Sequence, residues 1–502
     1  MDLWDDAYAN FSLTDTPNLT TLDPCHLPDI IFMLMLMDTW KELLASYRSM
    51  YQRQGFNRNI KTRSSLQAMW MKDEEVHLCP LCNNKFSQIR RKHHCRQCGR
   101  IFCSKCCDSK VSLSQLGYDE PQRVCESCAP VCEIMSKARS PQFAKKLEAA
   151  QSLAQMTKEI ESLIKVVELG GIQTLIYLSQ SINDGIKASV ADAIHTLATQ
   201  TVLHPLLVRC GAIKAICSML SAVDESQEKT LIDAVSALMI FCKSDDLKAQ
   251  AVSDGALHPV LSLCEMKEHI ALLAIMTLSL IVEHQANLAA LVEDGKGSLQ
   301  KIVTLTSAKD EKMQEIAFKI LASLSLGTDW QRHRIVQENY VNNKCFVEAI
   351  RRKPKNQQVL VNAACLIGNL STCEQDQSSL RECLEAICTL VTSHPQQKDI
   401  QLQVSRAIAN FSKYQVNCIA LVNHLSDFIA VHLKSNVAEI RTHAVRSIIH
   451  LLSHAKEEVL TVLRRNGLED LLSILIDVNG ITDAIQNVLL QSVKERNRPM
   501  SL

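Results

Sequence analysis

Arg91-Lys92-His93-His94-Cys95-Arg96-Gln97-Cys98-Gly99-Arg100-Ile101-Phe102-Cys103-Ser104-Lys105-Cys106 holds two Cys-x-x-Cys pairs and a run of cations. Two further pairs flank it, Cys79/Cys82 and Cys125/Cys128, with twelve, four and eighteen residues between successive pairs. Two cysteines with two residues between them can turn both sulfurs onto one cation at about 2.3 Å, and two such pairs close a tetrahedral zinc site. Eight thiolates therefore imply two structural Zn2+ ions. The four-residue gap between the second and third pairs is too tight for one comfortable site, so the ligands are expected to interleave. Cys79, Cys82, Cys103 and Cys106 would hold the first zinc, and Cys95, Cys98, Cys125 and Cys128 the second. That is a cross-brace, and it decides how the segment folds.

A disulfide framework is the competing use of so many cysteines. It belongs to oxidising compartments, whereas Met1-Asp2-Leu3-Trp4-Asp5-Asp6 has no basic leader and the apolar run Ile30 to Met37 spans only eight residues. No signal peptide or membrane span is expected, and the compartment is expected to be reducing. The total of 21 cysteines is odd, and those outside the finger fall mostly in apolar helical patterns, where cysteine is an ordinary buried residue. Cys107 and Cys132 are spare thiols on this reading.

Between the ligands, Arg90, Arg91, Lys92 and Arg96 with His93 and His94 place four fixed charges and two titratable rings within seven residues. Arginine forks match phosphate oxygens two at a time, and histidine gains charge as pH falls toward about 6.5. The run reads as an anion site, with a solvated basic loop as the plainer alternative.

With these motifs in place, the region resembles a FYVE-type zinc finger, the module that recognises phosphatidylinositol 3-phosphate. Trp70-x-x-Asp73 precedes the first pair, Arg91-Lys92-His93-His94-Cys95-Arg96 leads into the second, and Arg123-Val124-Cys125 leads into the fourth. The resemblance implies that Arg91, Lys92, His93, His94, Arg96 and Arg123 surround the lipid's phosphates. Trp70 and Asp73 would complete the site, Asp73 orienting a histidine and the inositol hydroxyls. In the family the loop before the basic run dips into the bilayer; here that loop is Gln88, Ile89 and Arg90, with Phe86 read as core and Ile89 as the inserting group. One such side chain contributes about 1.5–3 kcal/mol, and each nearby cation about 1 kcal/mol on an anionic leaflet. A single finger should bind weakly, so stable residence calls for a homodimer or a second contact. A RING ubiquitin ligase also cross-braces two zincs, but it usually places a histidine among its ligands, typically opening the third pair. Here that pair is plain Cys103/Cys106.

Beyond about residue 140, Leu, Ile, Val and Ala recur three and four apart, the period of amphipathic helices. Some 360 residues is long for one compact core, and a repeat resolves the difficulty. Glycine-centred junctions recur at Val167 to Ile172, Cys210 to Ile213, Asp254 to Leu257 and Asp294-Gly295. Weaker copies follow at Glu338 to Tyr340, Glu382 to Leu384, His424 to Ser426 and Asn466 to Leu468. Steps of 40 to 44 residues match armadillo or HEAT repeats. Such units cannot bury their apolar faces alone and stack into a solenoid. In peptide-binding armadillo proteins an asparagine on each third helix holds an extended peptide. The register here reads Thr196, Ile240, Ser279, Ser323, Asn369, Asn410 and His450, so only Asn369 and Asn410 fit. Bridging between helices is an equal alternative for both.

The expected fold is mostly α: a small two-zinc cross-brace FYVE finger followed by an armadillo/HEAT-like α-solenoid. Its parts are a flexible segment over 1–28, an N-terminal helix and linker over 29–66, the finger over 67–133, a linker helix over 134–150, the solenoid over 151–490 and a tail over 491–502. The N-terminal helix would pack on the finger or first repeat, or pair two chains. No Walker loop, dinucleotide glycine signature, His-Glu-x-x-His helix or nucleophile elbow is present. Zinc closed by four cysteines has no open position to activate water. A formal net charge of zero, from 54 basic and 54 acidic side chains, disfavours a general nucleic-acid binder. The expectation is a non-enzymatic cytoplasmic adaptor. It would sit on the cytosolic face of early endosomes through phosphatidylinositol 3-phosphate and recruit an unidentified protein through the solenoid. The runner-up is a RING-like ubiquitin ligase with a solenoid substrate arm.

Overall fold

The computed structural model describes residues 70–222, 224–293 and 297–467. The segments expected at 1–28 and 29–66, the solenoid beyond residue 467 and the tail at 491–502 lie outside the described residues. The chain divides into two compact units, residues 1–205 and 206–502.

In the first unit the finger is built from two antiparallel hairpins. β1 (Lys92–His94) pairs with β2 (Ile101–Cys103), setting His93 opposite Phe102, and β3 (Ser109–Val111) pairs with β4 (Gln122–Val124), setting Lys110 opposite Arg123. Strands of three residues bury little on their own. Their core is Phe102, Val111, Leu113, Leu116 and Val124 with six of the eight paired cysteines, all buried, and Cys82 and Cys98 partly buried against it.

α1 (Ala129–Ala138) starts directly after the last ligand pair, with Pro130 in its first turn, where a missing N–H costs nothing. Its Val131, Cys132 and Met135 belong to the finger's core. α2 (Phe143–Met156) follows. A single linker helix over 134–150 is therefore corrected to two helices. Pro141 lacks an N–H and disfavours helical geometry at Ser140, so the chain breaks at Ser140-Pro141. α3 (Ile160–Leu169), α4 (Gly171–Leu178) and α5 (Asp184–Ala198) form the first complete three-helix repeat. Met156 and Leu169 pack against the finger's core, and Gln97 donates its amide to the Leu169 carbonyl at 3.2 Å. Leu169 of the first repeat thus packs against the finger's core and is bonded to it through Gln97.

The three-helix pattern continues through α6 (His204–Arg209), α7 (Ala212–Ala222) and α8 (Glu228–Phe241). Next come α9 (Asp245–Ser253), α10 (Leu257–Leu263) and α11 (Glu268–Val282), then α12 (Gln285–Glu293), α13 (Ser298–Leu305) and α14 (Glu311–Leu324). The fifth repeat is α15 (Asp329–Val341), α16 (Cys345–Arg351) and α17 (Gln357–Leu370). In the sixth a 3-10 turn at Glu374–Asp376 stands in place of the first helix, ahead of α18 (Arg381–Ser393) and α19 (Lys398–Phe411). The seventh is α20 (Cys418–Asn423), α21 (Leu425–Phe428) running into a π-helical turn at Ile429–Leu433, and α22 (Ala438–His454); α23 (Lys456–Arg465) opens the next.

The junctions separate first from second helices. Gly211 and Gly255 sit there at φ 87 and 90, a left-handed conformation glycine adopts without a Cβ penalty. Two weaker copies are displaced. Glu338 to Tyr340 lies inside α15, and the turn is made at Asn342 to Lys344, with Asn343 and Lys344 at φ 56 and 57. Glu382 to Leu384 lies in the first turns of α18, because the sixth repeat has no first helix before it.

Candidate metal centre and anion site

Two knuckles fold on their own backbones. The Asn83 amide reaches the Cys79 carbonyl at 2.8 Å with Asn83 at φ 53, and the Gly99 amide reaches the Cys95 carbonyl at 2.9 Å with Gly99 at φ 75. Each turn brings two thiols to one side. Amides then point at sulfur across the brace, Cys103 N–H to Cys79 Sγ at 3.4 Å and Cys125 N–H to Cys95 Sγ at 3.3 Å. Such donors favour the thiolate.

The sulfurs gather as two tetrads, Cys79/Cys82/Cys103/Cys106 and Cys95/Cys98/Cys125/Cys128, each with all atoms within 4.8 Å. Cys82 and Cys103 sulfurs lie 3.8 Å apart. A tetrahedron with bonds of about 2.3 Å has edges of about 3.8 Å. The donor sets fit two zinc ions in the interleaved order. Cys107 and Cys132 stand outside both tetrads and are fully buried, and burial pushes the Cys132 thiol up.

Beside the second tetrad the cationic run is organised around β1. Trp70 stacks on His94 with centroids 4.8 Å apart and planes at 17°, and the Arg96 guanidinium covers the other aromatic partner, 5.0 Å from the Trp70 ring. His94 Nε2 lies 2.8 Å from the Met71 carbonyl and 3.9 Å from Asp73 Oδ1. The Met71 carbonyl and the Trp70 face, more than Asp73, hold the ring. Arg96 donates to the His94 carbonyl at 2.7 Å, and Lys92 Nζ donates to the Asp73 carbonyl.

Arg123 arrives from β4, its strand tied to the run by the Arg96 amide bonding the Arg123 carbonyl at 3.0 Å. Its guanidinium lies 3.6 Å from Asp108. Burial, then Arg123, Arg96 and Arg91, hold the His93 imidazole below its ordinary value. The positive charge of these arginines is felt at one half-buried ring, an electrostatic setting that suits a phosphate. Arg91 is exposed on the approach to β1.

Gln88, Ile89 and Arg90 form the exposed tip just before it, with Ile89 95% exposed. The Ser87 amide bonds the Arg90 carbonyl at 3.1 Å and the Arg90 amide bonds Ser87 Oγ at 3.1 Å, a closed turn that presents Ile89 outward. Phe86 packs on the finger's core with Lys92 Nζ 5.5 Å from its ring centre. Three participants escaped the sequence reading: the Met71 carbonyl, Asp108 and Gln97. Backbone acceptors carry no side-chain signature, and Asp108 and Gln97 gain partners only through folding.

A zinc cross-brace with a cationic β-hairpin is the class this geometry defines. Residues 69–133 match the FYVE zinc finger family and are a FYVE zinc finger. The chain is 42% identical over 87 residues to arrestin domain-containing protein A of Dictyostelium discoideum, across 17% of this chain and 14% of that protein. It is 36% identical over 113 residues to a putative 1-phosphatidylinositol 3-phosphate 5-kinase of Drosophila melanogaster, across 22% of this chain and 6% of that one. With RUN and FYVE domain-containing protein 2 of Pongo abelii it shares 45% over 69 residues, 14% of this chain and 11% of the relative. The chain thus spans 14% or less of the length of these relatives. For the helical part, a solved engineered protein has a similar fold, with TM-score 0.52 and 19% identity over 72% of this chain and 87% of that chain.

Proposed function

We propose that the chain is a non-enzymatic adaptor. Its finger docks on membranes carrying phosphatidylinositol 3-phosphate, chiefly on the cytosolic face of early endosomes, and its helical repeats recruit a protein partner. The observation that carries the reading is the cationic hairpin beside the second tetrad, with Arg96 over Trp70 and bonded through its amide to the Arg123 carbonyl, and with an exposed Ile89 in the turn that leads into it. Both modules are non-catalytic in kind, and among the described residues no single helix is long and apolar enough to cross a membrane. Peripheral attachment through one headgroup fits both facts.

In this reading Arg91, Lys92, His93, His94, Arg96 and Arg123 hold the phosphates, Trp70 stacks to fix His94, Asp73 lies at the edge toward the inositol hydroxyls, and Gln88, Ile89 and Arg90 meet the bilayer. The test is flotation of the zinc-loaded full chain with neutral vesicles that contain or lack phosphatidylinositol 3-phosphate, beside a bis-phosphorylated lipid. The full chain is used because α1 belongs to the finger's core and Met156 and Leu169 pack against it. Binding that requires the mono-phosphorylated lipid and falls at least tenfold in Arg91→Ala is expected; equal binding to vesicles without it would overturn the reading.

A further inference from the structure

We infer that a basic and apolar patch around Tyr177, on the helices that follow the finger, is a second membrane contact that takes anionic lipid; this deepens the proposed membrane role and rests on it. From Ile134 to Leu147 the chain carries Lys137, Arg139, Lys145 and Lys146 and no carboxylate. The run passes from the end of α1 to the start of α2, where it meets α4. The Arg139 guanidinium stands 5.6 Å from the centre of the Tyr177 ring on α4, and Lys146 Nζ stands 5.8 Å from the same ring. Two cations thus gather at one aromatic side chain that is itself exposed.

Their charge is not cancelled. Arg139 donates to the Met135 carbonyl at 3.3 Å, a neutral acceptor, and among the described residues Arg139, Lys145 and Lys146 make no ion pair. The carboxylates at the margins are turned to other lysines, Glu148 to Lys137 at 2.6 Å and Asp184 to Lys187 at 3.9 Å. Apolar side chains stand among the free charges. Phe143 is half exposed at the start of α2, and Ile182, in the loop between α4 and α5, is 81% exposed. Leu147 Cδ1 lies 3.2 Å from where a Cβ would stand at Gly185, which lays that loop over the first turns of α2. Phe143 and Lys146 share that side of α2 with Leu147 by helical spacing. Asn183 fixes the loop by accepting from the Ile186 amide at 3.1 Å, and Ile182 just before it is left facing solvent.

Aromatic rings, a protruding aliphatic side chain and unpaired cations set side by side match the boundary of a bilayer. The rings and the isoleucine enter the headgroup layer while the ammonium and guanidinium groups remain at the lipid's anionic groups. An acidic protein would use the charges without requiring Ile182. The finger offers one inserting side chain, Ile89, and the patch belongs to the same compact unit, so a second contact there would raise residence by linkage.

The experiment is flotation of the zinc-loaded full chain with phosphatidylcholine vesicles that are plain, or carry phosphatidylserine, phosphatidylinositol 3-phosphate or both. Ile182→Asp and Lys145→Gln/Lys146→Gln are compared with the parent, and melting temperatures confirm that each folds. On phosphatidylserine vesicles each variant should bind about tenfold less than the parent, and parent binding should weaken as salt rises. On neutral vesicles with phosphatidylinositol 3-phosphate both variants should match the parent. Parent-level binding of both variants to phosphatidylserine vesicles, or no binding of the parent to them, overturns the patch. Loss in the lysine pair with Ile182→Asp unchanged overturns the bilayer as occupant and points to an acidic protein. A parent indifferent to phosphatidylinositol 3-phosphate on neutral vesicles, whose phosphatidylserine binding still falls in both variants, overturns the finger's reading and upholds the patch.

Discussion

Ile89 and Asn369 show how one side chain serves two different ends. Ile89 contributes almost nothing to packing because 95% of it is exposed, yet that exposure is what a bilayer can bury. Moving it into hydrocarbon yields about 1.5–3 kcal/mol, roughly tenfold or more in partitioning. Ile89→Asp should therefore lose at least tenfold in binding to vesicles with phosphatidylinositol 3-phosphate while its melting temperature stays within a degree or two of the parent. A large drop in melting temperature would contradict a purely peripheral role. Asn369 is the reverse case. Its amide stands between Ser325, the Ala322 carbonyl and Arg406, and truncation leaves a fixed guanidinium short of an acceptor. Asn369→Ala is expected to cost about 1–3 kcal/mol, read as a shift in urea midpoint at constant slope.

At the scale of elements, the sixth and seventh repeats are joined through one buried amide. Gln401 on α19 donates to the Leu390 carbonyl at 2.9 Å and the His394 carbonyl at 2.9 Å, capping the end of α18, and its Oε1 meets His432 Nε2 at 2.6 Å. The carbonyl side of the amide faces the ring, so His432 donates from Nε2. Burial, then His443, pushes its pKa down to about 4. The unfolded ring takes up its proton near pH 6.5. Between these values the unfolded chain binds a proton that the folded chain refuses. The stabilisation is complete above about 6.5 and is lost as pH falls toward 4, to a limit of about 3 kcal/mol. Urea midpoints from pH 7.5 to 4.5 should fall less steeply in His432→Gln than in the parent; parallel curves would reject the account.

At the scale of the whole molecule, metal and helices are coupled where the finger's core takes in α1. Val131, Cys132 and Met135 lie among the thiols, with Met156 and Leu169 against them. Removing zinc leaves eight thiols without their cation, and such small metal domains lose their fold with the metal. Chelation should open protease sites in residues 129–170, while residues 206–467, a separate compact unit, keep their protection. Loss of helicity across that second unit on chelation would overturn this.

The chain by itself determined both zinc sites, because Cys-x-x-Cys spacing is local and two knuckles of fixed reach can close only a few ways. It determined the repeat as well, because apolar periodicity and glycine junctions return every 40 to 44 residues. At two of the three described junctions without a glycine the local pattern misplaced the turn, and only the one at His424 held: the turn at Asn343 and Lys344 and the missing first helix of the sixth repeat depend on how neighbours stack. Tertiary structure alone decided the rest. It set the Met71 carbonyl against His94, and tied Gln97 to Leu169, 72 residues away. It also spent Asn369 and Asn410 on bridges between repeats. Those relations join residues far apart in sequence, and only packing the helices side by side brings their charges and hydrogen-bonding groups within reach.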